Sequence, residues 1–216
     1  MFRMSLTVDP VEQIWIGLFT LGQYRRSAPP EDVIVTDSVS VNLFKLATAA
    51  LPLAKSRAVI VEASEFPTDQ YVAEGIAGLT GAELMRVGEG QGAVALSRTG
   101  GVLIKSVVNY RTALVEDLAA LEATASRSGG VIVWDLSHAT GVLDLQLKTH
   151  GARLATGCTY KFLNGGPGAP GAFGGFPCCS ACCGSEACRA GDHHRRRRLV
   201  WRRRGVTNMA KPLTKT

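Results

Sequence analysis

The stretch Gly129-Gly-Val-Ile-Val-Trp-Asp-Leu-Ser-His138 decides the reading of this chain. Two glycines break whatever precedes them. Four apolar residues then follow without polar alternation, and an aspartate ends the run. A strand that is apolar on both faces and bounded by Gly and Asp is the pattern of a central strand in a parallel sheet, covered on both sides. Working outward, Ala58-Val-Ile-Val61 has the same character, 102–108 and 154–158 resemble it, and 83–87 is a weaker version. Helical segments alternate with these runs. The spacing predicts a helix over 39–51, with Asp37 or Ser38 as its cap and Val41, Leu43, Phe44 and Leu46 among its apolar residues. A second is expected over 71–79, capped by Thr68 and Asp69 and stopped at Gly81, and a third over 112–127. Strands separated by helices define an α/β fold, a mainly parallel sheet flanked by helices.

In such sheets ligands bind beyond the carboxyl ends of the strands. The polar clusters fall there: Asp37-Ser38, Phe66-Pro-Thr-Asp69, Asp135-Leu-Ser-His138 and Thr159-Tyr-Lys161. A carboxylate at a strand end, such as Asp135, is costly to bury without a cationic partner. Lys161 follows 26 residues later among glycines that let backbone approach a ligand. Taken alone it reads as a loop lysine. In an apolar pocket, however, a lysine can lose its proton and attack an aldehyde. Residues 37–42, Asp-Ser-Val-Ser-Val-Asn, open a helix and suit a phosphate, although an ordinary cap reads the same way. Phe66 offers an aromatic face or a core side chain. An amine, an acid, a helix start and an aromatic face together match the needs of pyridoxal 5'-phosphate (PLP).

The chain has 216 residues, 46% hydrophobic and 19% charged, and no apolar run approaches the roughly 20 residues of a membrane span. The opening Met1-Phe-Arg-Met-Ser-Leu-Thr-Val-Asp-Pro10 lacks the long apolar stretch of a secretory leader, so a cytoplasmic protein is expected. The net charge of +6 is unevenly spread: residues 177–216 hold ten Lys/Arg and two Asp/Glu, net +8, leaving 14 basic and 16 acidic residues, net −2, in the other 176. Five of the six cysteines also lie in that tail, so the body carries no disulfide framework.

Five ordered motifs resemble the kynureninases: Thr36-Asp-Ser-Val-Ser-Val-Asn-Leu-Phe-Lys45, Phe66-Pro-Thr-Asp-Gln-Tyr71, Val108-Asn-Tyr-Arg-Thr112, Trp134-Asp-Leu-Ser-His138 and Gly157-Cys-Thr-Tyr-Lys-Phe-Leu-Asn-Gly-Gly-Pro-Gly168. The resemblance implies a partial PLP-binding large domain of fold type I, related to the class V aminotransferases, over 13–176. It implies that Lys161 anchors PLP as a Schiff base, that Asp135 pairs with the ring nitrogen, and that His138 lies beside the cofactor. Val39 and Ser40 are expected at the phosphate. Phe66 is expected to stack on the ring, with Pro67, Thr68 and Asp69 completing that loop. Tyr160 is expected at the phosphate and in proton transfer, and Ser106 is a further cofactor contact. No metal is implied. The implied reaction is hydrolysis of L-kynurenine or 3-hydroxykynurenine to anthranilate or 3-hydroxyanthranilate and L-alanine, a step of tryptophan catabolism that also serves NAD biosynthesis, by a homodimer. The alternatives are another class V PLP enzyme of desulfurase type, favoured less because Tyr160 rather than histidine precedes Lys161, or an inactive fragment.

Three departures set further expectations. Residues 1–12 form an extension without the family's Asn-Ser-Leu-Gly type motif. Gly151-Ala-Arg153 carries arginine where the family commonly has an acid. Resemblance ends near Phe176, before a small domain whose arginine would hold the substrate carboxylate, so weak turnover is expected. Residues 177–216 read as a disordered or frameshifted Arg/Cys-rich tail, in preference to a zinc site at Cys179-Ser-Ala-Cys182 or a nucleic-acid-binding arm.

Overall fold

The apolar runs become one seven-stranded sheet in the computed structural model, which describes residues 33–175. The strands are β1 (Val33–Val35), β2 (Ala58–Glu62), β3 (Glu83–Val87), β4 (Val102–Ser106), β5 (Val131–Asp135), β6 (Leu154–Cys158) and β7 (Gly171–Gly175), in the order β1-β7-β6-β5-β4-β2-β3. Strands β2 to β6 are parallel. β7 is antiparallel to both β6 and β1, so β1 points the same way as β6. The carboxyl ends of six strands therefore gather on one edge, and β7 begins there.

Among the described residues four α-helices cover the sheet: α1 (Val39–Ala50), α2 (Pro67–Thr80), α3 (Gly92–Thr99) and α4 (Leu118–Ser128). The strand period of two explains the division of labour. Val59, Val61, Val102, Ile104, Val131 and Val133 turn to one face and pack with Leu43, Leu46 and Ile76 of α1 and α2. Ile60, Leu103, Ile132 and Trp134 turn to the other and meet Leu96 of α3 and Leu121 of α4. Each such side chain stabilises the fold by about 1.5–3 kcal/mol when fully buried, which is why a run like 131–134 has no polar position to spare.

Helix ends follow local chemistry. Ser38 caps α1, its Oγ accepting the Val41 N–H at 3.4 Å. Gly81 ends α2 at φ 67°, as expected. Thr68 and Asp69 are not caps: Pro67, with φ fixed for a first helical turn, starts α2 two residues earlier. The helix expected over 112–127 begins only at Leu118. Asn109 Oδ1 accepts the N–H groups of Arg111 and Thr112 at 2.9 and 3.1 Å, Ala113 takes φ 56°, and Val108 bridges Val115. Asp117 then caps α4 by accepting the Ala120 N–H at 3.0 Å. Helix α3 and strands β1 and β7 carry no strong local signal; Gly171-Ala-Phe-Gly-Gly175 is extended because β6 and β1 pair with it. Among the described residues no helix is long and apolar enough to cross a membrane. The extension 1–12 and the tail 177–216 lie outside the described residues.

Candidate active site

Asp135 is the last residue of β5, and its Oδ1 accepts the Ser137 N–H at 2.7 Å. That bond turns the chain sharply toward His138. Asp69, in the first turn of α2, is buried, feels the Asp135 carboxylate, and its Oδ2 has no hydrogen-bond partner. Two acids in a dry site cannot both ionise cheaply. Burial, then the charges of Asp135 and Glu65, push Asp69 up to about 9, with Lys161 opposing. Asp69 is therefore the neutral, proton-holding member at pH 7.

Lys161 lies in the turn after β6, closed by the Gly165 N–H to Thr159 O bond of 2.9 Å. A Cβ at Gly165 would stand 2.9 Å from Ala169 Cβ and 3.0 Å from Thr159 Oγ1, so the turn needs glycine there. Lys161 Nζ is 3.0 Å from His138 Nε2 and 5.8 Å from the centroid of the Phe66 ring. Burial first, and the Lys161 charge second, lower the His138 pKa, which keeps the imidazole neutral beside the amine. Phe66 is 38% exposed and meets Tyr110 edge-on at 5.1 Å. Tyr160 is 45% exposed; burial and its neighbour Cys158 raise its pKa, so the phenol keeps its proton.

Val39 and Ser40 open α1, where the first amides have no intrahelical acceptor and the helix dipole favours an anion. The helix start is held close to the lysine turn. Gly171 N donates to Asp37 O at 2.6 Å, and a Cβ at Gly171 would sit 3.3 Å from Val39 N and 3.1 Å from Gly157 O. Asn42, fully buried, donates to Thr36 O at 2.8 Å, and Lys45 pairs with Asp37. Ser106 lies opposite Asp135 in the β4–β5 ladder. Pro67 and Thr68 occupy the first turn of α2 between Phe66 and Asp69. The anticipated residues thus come from five places on one sheet edge: the starts of α1 and α2, the end of β4, and the ends of β5 and β6 with the turns that follow them. Arg153 stands apart from them, at the opposite end of β6 beside Glu122.

Three side chains here have no role in the sequence reading. Tyr110 supports Phe66, and Glu65 and Lys105 lie buried behind Asp69. The signal for Lys105 is a charge inside the apolar run Val102-Leu-Ile-Lys-Ser106.

The donor set fits PLP. A primary amine faces an aromatic ring and a neutral imidazole, a buried acid pair holds one oxygen without a partner, and a helix start offers free amides. Solved structures of similar fold include a cysteine desulfurase from Escherichia coli (TM-score 0.62, 14% identity, 81% of this chain and 47% of that one). A cystine lyase, C-DES, with glycine linked to its PLP cofactor also matches (TM-score 0.65, 16% identity, 77% and 46%). The fold is that of these class V, type I enzymes, and the site's donor set fits PLP.

Within that class the sequence is kynureninase-like. The kynureninase of Deinococcus radiodurans is 44% identical over 144 residues, 66% of this chain and 35% of the relative. That of Pseudomonas fluorescens is 40% identical over 145 residues, 63% and 35%. The chain spans about a third of the length of the curated relatives it matches. No family model matches it.

Proposed function

We propose that this chain carries the cofactor side of a kynureninase-type site, for hydrolysis of L-kynurenine or its 3-hydroxy form to the anthranilate and L-alanine. The observation that supports this best is the placement of Lys161 Nζ against His138 at 3.0 Å and Phe66 at 5.8 Å, on the same sheet edge as the Asp69–Asp135 pair. Bound PLP supplies an electron sink for the charge released at the substrate's Cα. Lys161 Nζ would hold the cofactor and, as a free amine, would be the base that moves the substrate's α-proton. His138, neutral, accepts from or donates to that amine and holds it in place. Asp135 holds the positive ring nitrogen by charge, while Asp69 keeps its proton. Phe66 excludes water from one ring face. Val39 and Ser40 bind the phosphate through their N–H groups, and Tyr160 Oη carries the proton for the carbon that leaves when water adds to the γ-carbonyl.

The desulfurase likeness rests on 14% identity and speaks for the fold. The kynureninase likeness at 38–44% identity, and Tyr160 before Lys161, favour kynurenine over cysteine. A homodimer and a cytoplasmic location complete the proposal. An absorbance spectrum of the full chain with added PLP tests it: a protein-bound band near the visible that disappears in Lys161→Ala is expected. A spectrum of free PLP alone, or turnover of cysteine without any of kynurenine, would overturn the proposal.

A further inference from the structure

The segment between β4 and α4 folds back on itself, and the proposed chemistry makes no use of it. The Val107 N–H donates to Asp135 O at 3.0 Å, which roots the segment at the end of β5. Val108 then bridges Val115 antiparallel, and the Asn109 and Glu116 N–H groups donate to Leu114 O and Val107 O, both at 2.9 Å. The apolar side chains of this short hairpin do not fill the core, since Leu114 and Val115 are exposed. Its aromatic residue, Tyr110, instead meets Phe66, with ring centroids 5.1 Å apart and planes at 79°. In that arrangement the positive edge of one ring meets the negative face of the other, which favours a set angle as well as a distance.

Both rings are held from behind. Arg111 Nε donates to Tyr110 Oη at 2.7 Å, and its guanidinium carbon lies 5.2 Å from the Tyr110 ring centroid. The segments that carry the two rings are joined by a buried ion cluster. Lys105 Nζ lies 3.1 Å from Glu65, which directly precedes Phe66, 2.9 Å from Glu116 at the foot of the hairpin, and 2.8 Å from Glu62. Glu62 also accepts the N–H groups of Gly90 and Gly92 at 3.1 and 2.8 Å. Glu65 accepts the Ser106 N–H at 3.2 Å, and its carbonyl accepts from Gln70 Nε2 at 2.9 Å. The backbone on either side of the aromatic pair is therefore tied down.

We propose that Tyr110 is a positioning residue: carried by the hairpin and held by Arg111, it sets the tilt of the Phe66 ring and so the surface that receives a flat aromatic cofactor. The second side-chain torsion of a phenylalanine is broad, and Phe66 keeps 38% of its surface in solvent. Burial alone does not orient such a ring; the tyrosine contact does. The inference rests on the proposed PLP site for its ligand. Lys105 is left intact in the test, because its removal would strand buried acids and cost stability for that reason alone.

PLP binding to the full chain is measured by fluorescence titration for wild type, Tyr110→Ala, Tyr110→Phe, Phe66→Leu and the Tyr110→Ala/Phe66→Leu double variant. Tyr110→Ala is expected to weaken binding about three- to tenfold, the range an edge-on aromatic pair supplies. Tyr110→Phe keeps the ring edge and stays within about twofold of wild type. The double variant binds no more weakly than Phe66→Leu, because the tyrosine then has nothing left to orient. Unchanged affinity in Tyr110→Ala or in Phe66→Leu overturns the proposal, and so does a Tyr110→Ala loss that adds in full to that of Phe66→Leu. Should Tyr110→Ala fail to fold, Tyr110→Leu, apolar but without a ring edge, takes its place. A second measurement needs no cofactor: carbon relaxation of the Phe66 ring in the ligand-free chain, assigned through its loss in Phe66→Leu. The ring is expected to be ordered in wild type and Tyr110→Phe and looser in Tyr110→Ala; equal order in all three overturns the proposal. A wild-type chain that takes up no PLP sinks the proposed function, and the order of the Phe66 ring then decides this inference by itself.

Discussion

Replacing Asp69 by Asn should make the protein more stable at alkaline pH, although Asp69 belongs to the site. The folded chain holds the Asp69 proton up to about pH 9, whereas the ordinary value is 3.8. A raised acid pKa contributes stability that is complete below the unfolded value and is lost as pH rises through the folded one. Between pH 5 and pH 8 the unfolded chain has already released the proton and the folded chain has not. Each pH unit in that window therefore costs about 1.4 kcal/mol, or about 4 kcal/mol across it. Asp69 is 2% exposed, so solvent screening takes little from that figure. Asparagine has no proton to lose. Urea denaturation of wild type and Asp69→Asn at pH 5 and pH 8 measures the difference directly, because Glu65, Glu122 and other titrating groups occur in both proteins. The variant is expected to gain about 4 kcal/mol relative to wild type between the two pH values. Equal pH slopes in the two proteins would show that Asp69 ionises normally, and the reading of a proton-holding acid pair would fail.

Glu122, buried against Trp134 Nε1 at 2.7 Å, has its pKa raised from 4.5 to about 7 by burial, with Trp134 and Arg153 opposing. Its stabilising contribution is complete below 4.5 and lost as pH rises through 7, so Glu122→Gln should gain about 3 kcal/mol on wild type between pH 4 and pH 8; parallel urea curves would refute this. Ala113 sits at φ 56°, where a Cβ is unfavourable, so Ala113→Gly should raise stability by about 1 kcal/mol and the melting temperature with it. A Cβ at Gly92 would stand 2.6 Å from Glu62 Oε1. Gly92→Ala should therefore break the Glu62 bond and cost about 1–3 kcal/mol, and unaltered thermal unfolding would contradict the ion cluster's geometry.

The central strands were legible because burial on both faces writes itself into consecutive residues: 131–134 and 58–61 admit no polar side chain, and both are wholly buried. The edges were harder. Gly171-Ala-Phe-Gly-Gly175 is a strand through its partners, and a sequence window contains no partners. Residues 112–117 misled for a related reason. Thr112-Ala-Leu-Val has helical composition, but the Asn109 side chain competes for the first two N–H groups and Ala113 leaves the helical region. The lesson is local: a polar side chain just upstream of a helical pattern can take over its first turn.

The site divides in the same way. Lys161, His138, Phe66 and Asp135 were readable because each follows an apolar run, and a parallel sheet brings all such positions to one edge. Their motifs also carry the family resemblance. The state of Asp69 was not readable, since it depends on Asp135, 66 residues away, and on the dryness of the space between them. Asp69 looked like a loop residue and is the acid that stays protonated. The Lys105 cluster lies further from view, because its four members come from β2, the loop after it, β4 and the loop leading to α4. Position along the chain tells which groups share an edge. The charge those groups carry is set by burial and by each other, so the chemistry of this edge depends on a proton that only the folded arrangement explains.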